Sequence, residues 1–316
     1  MKMIKKLLPI LFLALLVQSC SNNDDPISIG TKTVVDVTST RPNLSTLNEA
    51  LIKAELVSTL DADGSFTVLA PTNAAFTAFL QAKGYASLDD VPKATLKNIL
   101  LNHVISGEFK AADFSTEYKN TLAVSEVSGG NMSIYIDNSN GVKFNGISTV
   151  TTANVDADNG TIHVVDNVID LPTVVTFVKA DANFSTLVSA LTRSDLTTNF
   201  VATLETKASV NPAPFTVFAP TNTAFVNVLA ELKLAALANI PVATLDLTLK
   251  NHVIAGTNAR SEDLSDNMMV TSLNSELKVN VTGGATIARG TRVSNITKVD
   301  IQANNGVVHA IDKVIL

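Results

Sequence analysis

From Phe66 the chain reads Phe-Thr-Val-Leu-Ala and then meets Pro71. A short run rich in β-branched and aromatic residues, closed by proline, predicts a strand. Thr72 and Asn73 come next, and their side-chain oxygens suit a helix N-cap, where backbone N–H groups are left unpaired. Phe76, Phe79 and Leu80 then recur at i, i+3 and i+4, which predicts a helix with one apolar face. Leu96, Ile99, Leu100, His103 and Val104 keep the same period and predict a second helix stopping at Gly107. Beyond it the period falls to two. Met132, Ile134 and Ile136 mark one face of a strand, Ile162, Val164 and Val168 a face of another, and Gly129-Gly130 and Asn159-Gly160 are turn signals. Helices first and strands after predict an α+β fold rather than an alternating parallel sheet.

The whole pattern then repeats. FTVLAPTNAAF from Phe66 returns as FTVFAPTNTAF from Phe215, so Thr221 and Asn222 answer Thr72 and Asn73, and Phe225, Val228 and Leu229 rebuild the apolar helix face. DNGTIHVVDNVI from Asp158 returns as NNGVVHAIDKVI from Asn304. A unit of this length has the size of a self-sufficient domain, far above the 20–50 residues of a solenoid repeat. Two tandem domains are expected, 31–171 and 172–316, with the last strand of the first ended by Pro172 and no Gly/Ser-rich linker between them. The largest insertion in the second copy, Glu205 to Pro214, is polar and proline-bearing and reads as a surface loop.

Residues 1–19 have a basic start, MKMIKK, followed by an apolar stretch, the form of an export signal. Val17-Gln18-Ser19-Cys20 resembles the lipobox of bacterial lipoproteins, which implies acylation at Cys20 and a membrane anchor; residues 20–30 then read as a polar, acidic tether. Cys20 is the chain's one cysteine, so it has no disulfide partner. Acidic residues just after such a cysteine resemble a surface-export signal, so the expected location is the cell envelope, as an outer-membrane lipoprotein displayed on the surface.

The full chain carries 23 basic and 29 acidic residues, a net charge of −6, and loss of Lys2, Lys5 and Lys6 with the signal would deepen that to −9. Nucleic acid is excluded as an expected partner, because binding it rests on Lys and Arg neutralising phosphates. There is no glycine-rich phosphate loop, CxxC, HExxH or GxSxG in the sequence, so no cofactor and no catalytic residue is expected.

The paired phrases TVFAPTN and NGVVHAID, with HVIxG between them, are similar to those of fasciclin-like domains, and the resemblance covers Thr31 to Leu316. It implies a twisted β-sandwich with packed helices in each copy. It also implies an extracellular or membrane-anchored adhesion module that binds proteins or glycans without catalysis. In some animal members an acidic-aliphatic motif of the form EPDIM precedes the second phrase and is assigned to integrin binding. Asp300-Ile301 occupies that place here, after Lys298-Val299 instead of Glu-Pro, and is the candidate partner contact. A glycan-binding accessory of an envelope uptake system is the alternative reading.

The four histidines form equivalent pairs, His103 with His163 and His252 with His309. Zinc needs three or four ligands, and no third accompanies either pair, so no metal is expected and the histidines are read as hydrogen-bonded core residues. Asp156 to Gly160 looks like the start of a calcium loop but lacks the carboxylate required at its twelfth position, which is Asn167.

Overall fold

The computed structural model describes residues 32–316, so Cys20, the leader and the tether lie outside the described residues. In the first repeat three short helices, α1 (Val34–Ser39), α2 (Ser45–Lys53) and α3 (Val57–Leu60), precede strand β1 (Phe66–Pro71). Helix α4 (Asn73–Lys83) follows the proline, with the Thr72 hydroxyl accepting from Ala75 N and Gly84 in the left-handed conformation at its end. Helix α5 (Lys93–Leu101) leads into β2 (Val104–Ser106), and then come β3 (Glu117–Val124), β4 (Asn131–Asp137), β5 (Lys143–Phe144), β6 (Ser148–Ala157) and β7 (Gly160–Val165).

The second repeat has the same order. Helices α6 (Val174–Ala180), α7 (Ser185–Leu191) and α8 (Phe200–Leu204) precede β8 (Phe215–Pro220); α9 (Asn222–Glu231) and α10 (Val242–Asn251) lead to β9 (Val253–Ala255). Strands β10 (Met268–Thr271), β11 (Glu276–Asn280), β12 (Thr286–Arg289), β13 (Arg292–Ala303) and β14 (Gly306–Ile311) complete it. The fold is α+β, with helices packed on a sandwich-like sheet in each repeat.

In both sheets the first and last long strands run parallel and side by side: β1 pairs with β7, and β8 with β14. That pairing explains the glycine after each asparagine. A Cβ at Gly160 would lie 2.0 Å from Phe66 O, and one at Gly306 would lie 2.3 Å from Phe215 O, so neither position admits a side chain. The remaining strands pair antiparallel. In the first repeat β2 also bonds β3 through Ile105 and Thr121, closing a barrel. The second sheet runs β10-β11-β12-β13-β14-β8-β9 and stays open in its pairing, with a single backbone bond from Leu273 N to Val253 O (2.8 Å) at the corresponding corner.

Three local expectations are corrected. Helix α5 stops at Leu101 rather than running to Gly107, because Val104 and Ile105 pair with β1 as a strand; Gly107, at φ +96°, ends that strand. Strand β7 ends at Val165, well before Pro172. Strand β4 is buried on both faces instead of one. Ile134 and Ile136 fill the barrel with Leu69, Phe114 and Phe144, while Tyr135 on the opposite face enters the second repeat's core beside Phe177 and Phe184. Lys32–Leu316 forms one compact unit.

Candidate binding cleft between the repeats

The recurring motif residues serve as joints of the scaffold. Thr72 and Thr221 cap α4 and α9, but the asparagines beside them are cross-links rather than caps. Asn73 accepts from Thr46 N and donates to Pro42 O, and Asn222 accepts from Thr186 N and donates to Ala182 O, so each clamps a helix start to the helices before it. Asn159 and Asn305 make a second clamp. Their side-chain oxygens accept from Val34 N (2.8 Å) and Val174 N (2.9 Å), and their amide nitrogens donate to Leu60 O and Leu204 O.

Both nitrogens of every histidine are occupied by backbone. His103 donates from Nδ1 to Ile99 O and accepts at Nε2 from Ile169 N; His252 repeats this with Thr248 O and Ile315 N. His163 and His309 donate from Nε2 to Phe109 O and Ala259 O, and their Nδ1 atoms accept from Asn154 N and Asp300 N. Each pattern needs a neutral ring. Burial pushes His103 and His252 down to about 4, and it lowers His163 and His309 as well. No ring nitrogen is free to ligate a metal, and among the described residues no group of three potential metal ligands converges.

The surface that joins the repeats was not legible in the sequence. Gln302, buried in β13, donates from Nε2 to Asn258 Oδ1 (2.9 Å), Ala303 O (2.8 Å) and Gly306 O (3.0 Å), while its backbone N–H donates to Ser133 Oγ of β4 (3.0 Å). Ser125 Oγ donates to Ala303 O, and Asn304 and Glu126 bond reciprocally. Tyr118 donates its hydroxyl to Asp181 at 2.9 Å and packs edge-on to Phe177; burial and the neighbouring carboxylate raise the phenol's pKa, so it stays protonated as the donor. A buried interface whose polar groups are satisfied holds one geometry, since breaking any of these bonds strands a desolvated partner.

Beside this interface lies a polar cleft of about 470 Å³ whose walls come from β3 and β4 of one repeat and β13 of the other. Asp300 lines it, in the left-handed conformation at φ +59°, but its carboxylate accepts from both Ser261 N (2.8 Å) and Ser261 Oγ. Asn154, its counterpart, has the same backbone turn at φ +56° and accepts from Ala111 N. Ile301 is 1% exposed and belongs to the second core, which corrects its expected role: the side chain cannot meet a partner. The expected surface loop from Glu205 to Pro214 is irregular and largely exposed, with Ala208 tucked in.

Two helix-capped sheets, joined by hydrogen bonds between the repeats, define a tandem-domain protein. The fasciclin domain model matches residues 42–172 and 182–316, and the chain belongs to that family. It is similar to a fasciclin-like arabinogalactan protein of Arthroderma benhamiae, 26% identical over 287 residues covering 87% of this chain and 64% of the relative. It is also similar to protein sll1483 of Synechocystis, 38% identical over 43% of this chain and 72% of the relative, and to human periostin, 26% identical over 81% of this chain. The chain thus spans less than two thirds of the fungal relative and 29% of periostin. Among solved structures, a FAS1 domain pair from the insect cell adhesion molecule fasciclin I superposes with a TM-score of 0.53 at 18% identity, covering 87% of this chain and 97% of that one, which fixes the fold.

Proposed function

We propose that the chain is a membrane-anchored, surface-exposed adhesion lipoprotein that binds an extracellular protein or glycan and performs no catalysis. The observation that carries this reading is the junction. Two fasciclin domains are joined as one body by buried hydrogen bonds around Gln302, so the surface across them is preorganised, which spares the ordering cost of binding. Its likeness to a cell adhesion molecule supports the adhesive role. The polar cleft favours a second reading, a glycan-binding accessory of an envelope uptake system. Thr72, Asn73, His103, His163, Thr221, Asn222, His252 and His309 are scaffold in both readings, with working domain limits of 31–171 and 172–316. Acylation at Cys20 supplies the anchor, in the outer membrane of the cell envelope, and nucleic acid is no partner.

Pull-down of extracellular matrix and cell-surface material by the full chain tests the adhesive role; capture of neither protein nor glycan would sink it. Cell fractionation tests the anchor. Wild type should partition with membranes and be shaved from intact cells by protease, whereas Cys20→Ala should be released as soluble protein. A Cys20→Ala chain that stays in the membrane, or a wild type fully protected from protease, argues against the lipid anchor and the surface display respectively.

A further inference from the structure

The corner of the second repeat that faces the cleft differs from its counterpart in charge. In the first repeat Lys110 opens a short turn (Ala111–Asp113) and is neutralised twice, by Glu108 at 2.8 Å and by Asp156. Thr161 joins that cluster through its hydroxyl. In the second repeat Arg260 opens the equivalent turn (Ser261–Asp263), and Asp263 caps its backbone N–H as Asp113 caps that of Lys110. Both neutralising carboxylates are gone: Asn258 stands for Glu108, Gln302 for Asp156, and Val307 for Thr161. The two amides bond each other, and Arg260 extends toward Gly130 of the first repeat, where a Cβ would come within 2.9 Å of its Nη1.

Arg260 retains one ion pair, with the exposed Glu262, while its buried Nε has no hydrogen-bond partner. Lys298, where the first repeat has Thr152, stands over the Tyr118 ring at 5.4 Å, and no carboxylate pairs with it among the described residues. Against these two cations the cleft wall sets one carboxylate, Asp300, already held by Ser261. With Arg260 paired to Glu262 and Asp300 held by Ser261, Lys298 is the wall's one cation without a carboxylate partner among the described residues, in a protein whose overall charge is −6. Around it are uncommitted neutral groups: the Asn120 amide, the Asn131 Oδ1 and the Ser133 O–H make no side-chain bond there among the described residues. Asn120 and Asn131 are exposed, so their free polar atoms are open to a ligand.

We propose that this cleft binds a carboxylate-bearing saccharide of the uronic acid class, its carboxylate between Arg260 and Lys298 and its hydroxyls on Asn120, Asn131 and Ser133. The volume suits one or two sugar rings, within the roughly 300–1,000 Å³ of small-ligand sites. The unpaired Lys298 ammonium offers a carboxylate a partner, and the scarcity of apolar wall excludes a lipid tail. The assignment deepens, and rests on, the adhesive reading by naming its ligand.

Titration calorimetry of the full chain in mild detergent with trigalacturonate, against neutral galactotriose, tests it. Trigalacturonate should bind at least tenfold tighter, with affinity falling as salt rises from 20 to 150 mM. Arg260→Ala and Lys298→Met should each weaken it about tenfold, while Lys110→Ala, in the first repeat, leaves it unchanged. Circular dichroism on each variant establishes folding, and Lys298, exposed on its strand, serves if Arg260→Ala does not fold. Equal binding of both saccharides, no binding of either, or indifference to Lys298→Met overturns the proposal. If trigalacturonate fails while matrix protein is still captured, the saccharide assignment alone falls; if both fail, the adhesive reading falls with it.

Discussion

The two repeats use the same residues to stand up and different residues to face each other. His103 and His252, Asn159 and Asn305, and Thr72 and Thr221 make equivalent bonds, atom for atom, in both copies. At the corner above the last strand the copies part: Asp156 reaches outward to Lys110, whereas Gln302 turns inward to bond Asn258 and the backbone around it. A carboxylate could not take that inward role, because it has no donor to offer the Ala303 and Gly306 carbonyls and would be buried charged. Exchanging an acid for an amide thus replaces a solvated ion cluster with a buried amide network beside the junction.

Acidification should produce the largest effect and act on both copies alike. Unfolded histidines protonate near 6.5, while the native His103 and His252 hold out to about 4. The stability they give is complete above pH 6.5, declines as pH falls toward 4, and amounts to about 3 kcal/mol for each ring. Urea unfolding at pH 7 and pH 4.5 should show this loss, and the His103→Gln, His252→Gln double variant should show a flatter dependence; an equally steep one would break the symmetry claimed for the rings.

Asn159→Ala and Asn305→Ala come next, each destabilising by roughly 2–3 kcal/mol because a buried N–H and a carbonyl lose their partner together. Similar urea midpoints for the two variants would sharpen the equivalence, and widely different ones would refute it. At the divergent corner the equivalence should fail. Gln302→Ala should cost about 1–2 kcal/mol, measurable by thermal melting, through the buried groups it strands. Asp156→Ala should stay within about 0.5 kcal/mol, since its exposed ion pair is screened by water. Equal losses at these two positions would mean that the amide has no special part in the junction.

Much of the scaffold could be read from apolar spacing alone: the strand into Pro71, the capped helix after it, and the strand-rich second half of each copy. What failed depended on contacts distant in the chain. The apolar period of α5 runs on through Val104, and only the pairing of Val104 with Val68 makes it a strand. Asn73 suits a helix cap by type, yet its amide is used by Pro42 and Thr46, some thirty positions earlier. Ser133 and Tyr135 look like the outward face of a half-exposed strand because their partner surface, β13 and α6, belongs to the other repeat. The candidate site was legible in part. Asp300 lies in the cleft wall, but Arg260, Lys298 and Gln302 gave a signal only in comparison with Lys110, Thr152 and Asp156, a difference that a search for shared motifs passes over.

The asparagine clamps also bear on how the protein ages chemically. An Asn-Gly pair is prone to lose its amide when the glycine nitrogen swings onto the side-chain carbonyl and closes a ring. In Asn159-Gly160 and Asn305-Gly306 that carbonyl is held by Val34 or Val174, the amide nitrogen is tied to backbone oxygens, and the glycine lies in a strand beside β1 or β8. Asn140-Gly141, on an exposed turn, has no such restraint. Spontaneous deamidation of the folded chain should therefore begin at Asn140, and the appearance of aspartate at position 159 or 305 would serve as a clock for time spent unfolded.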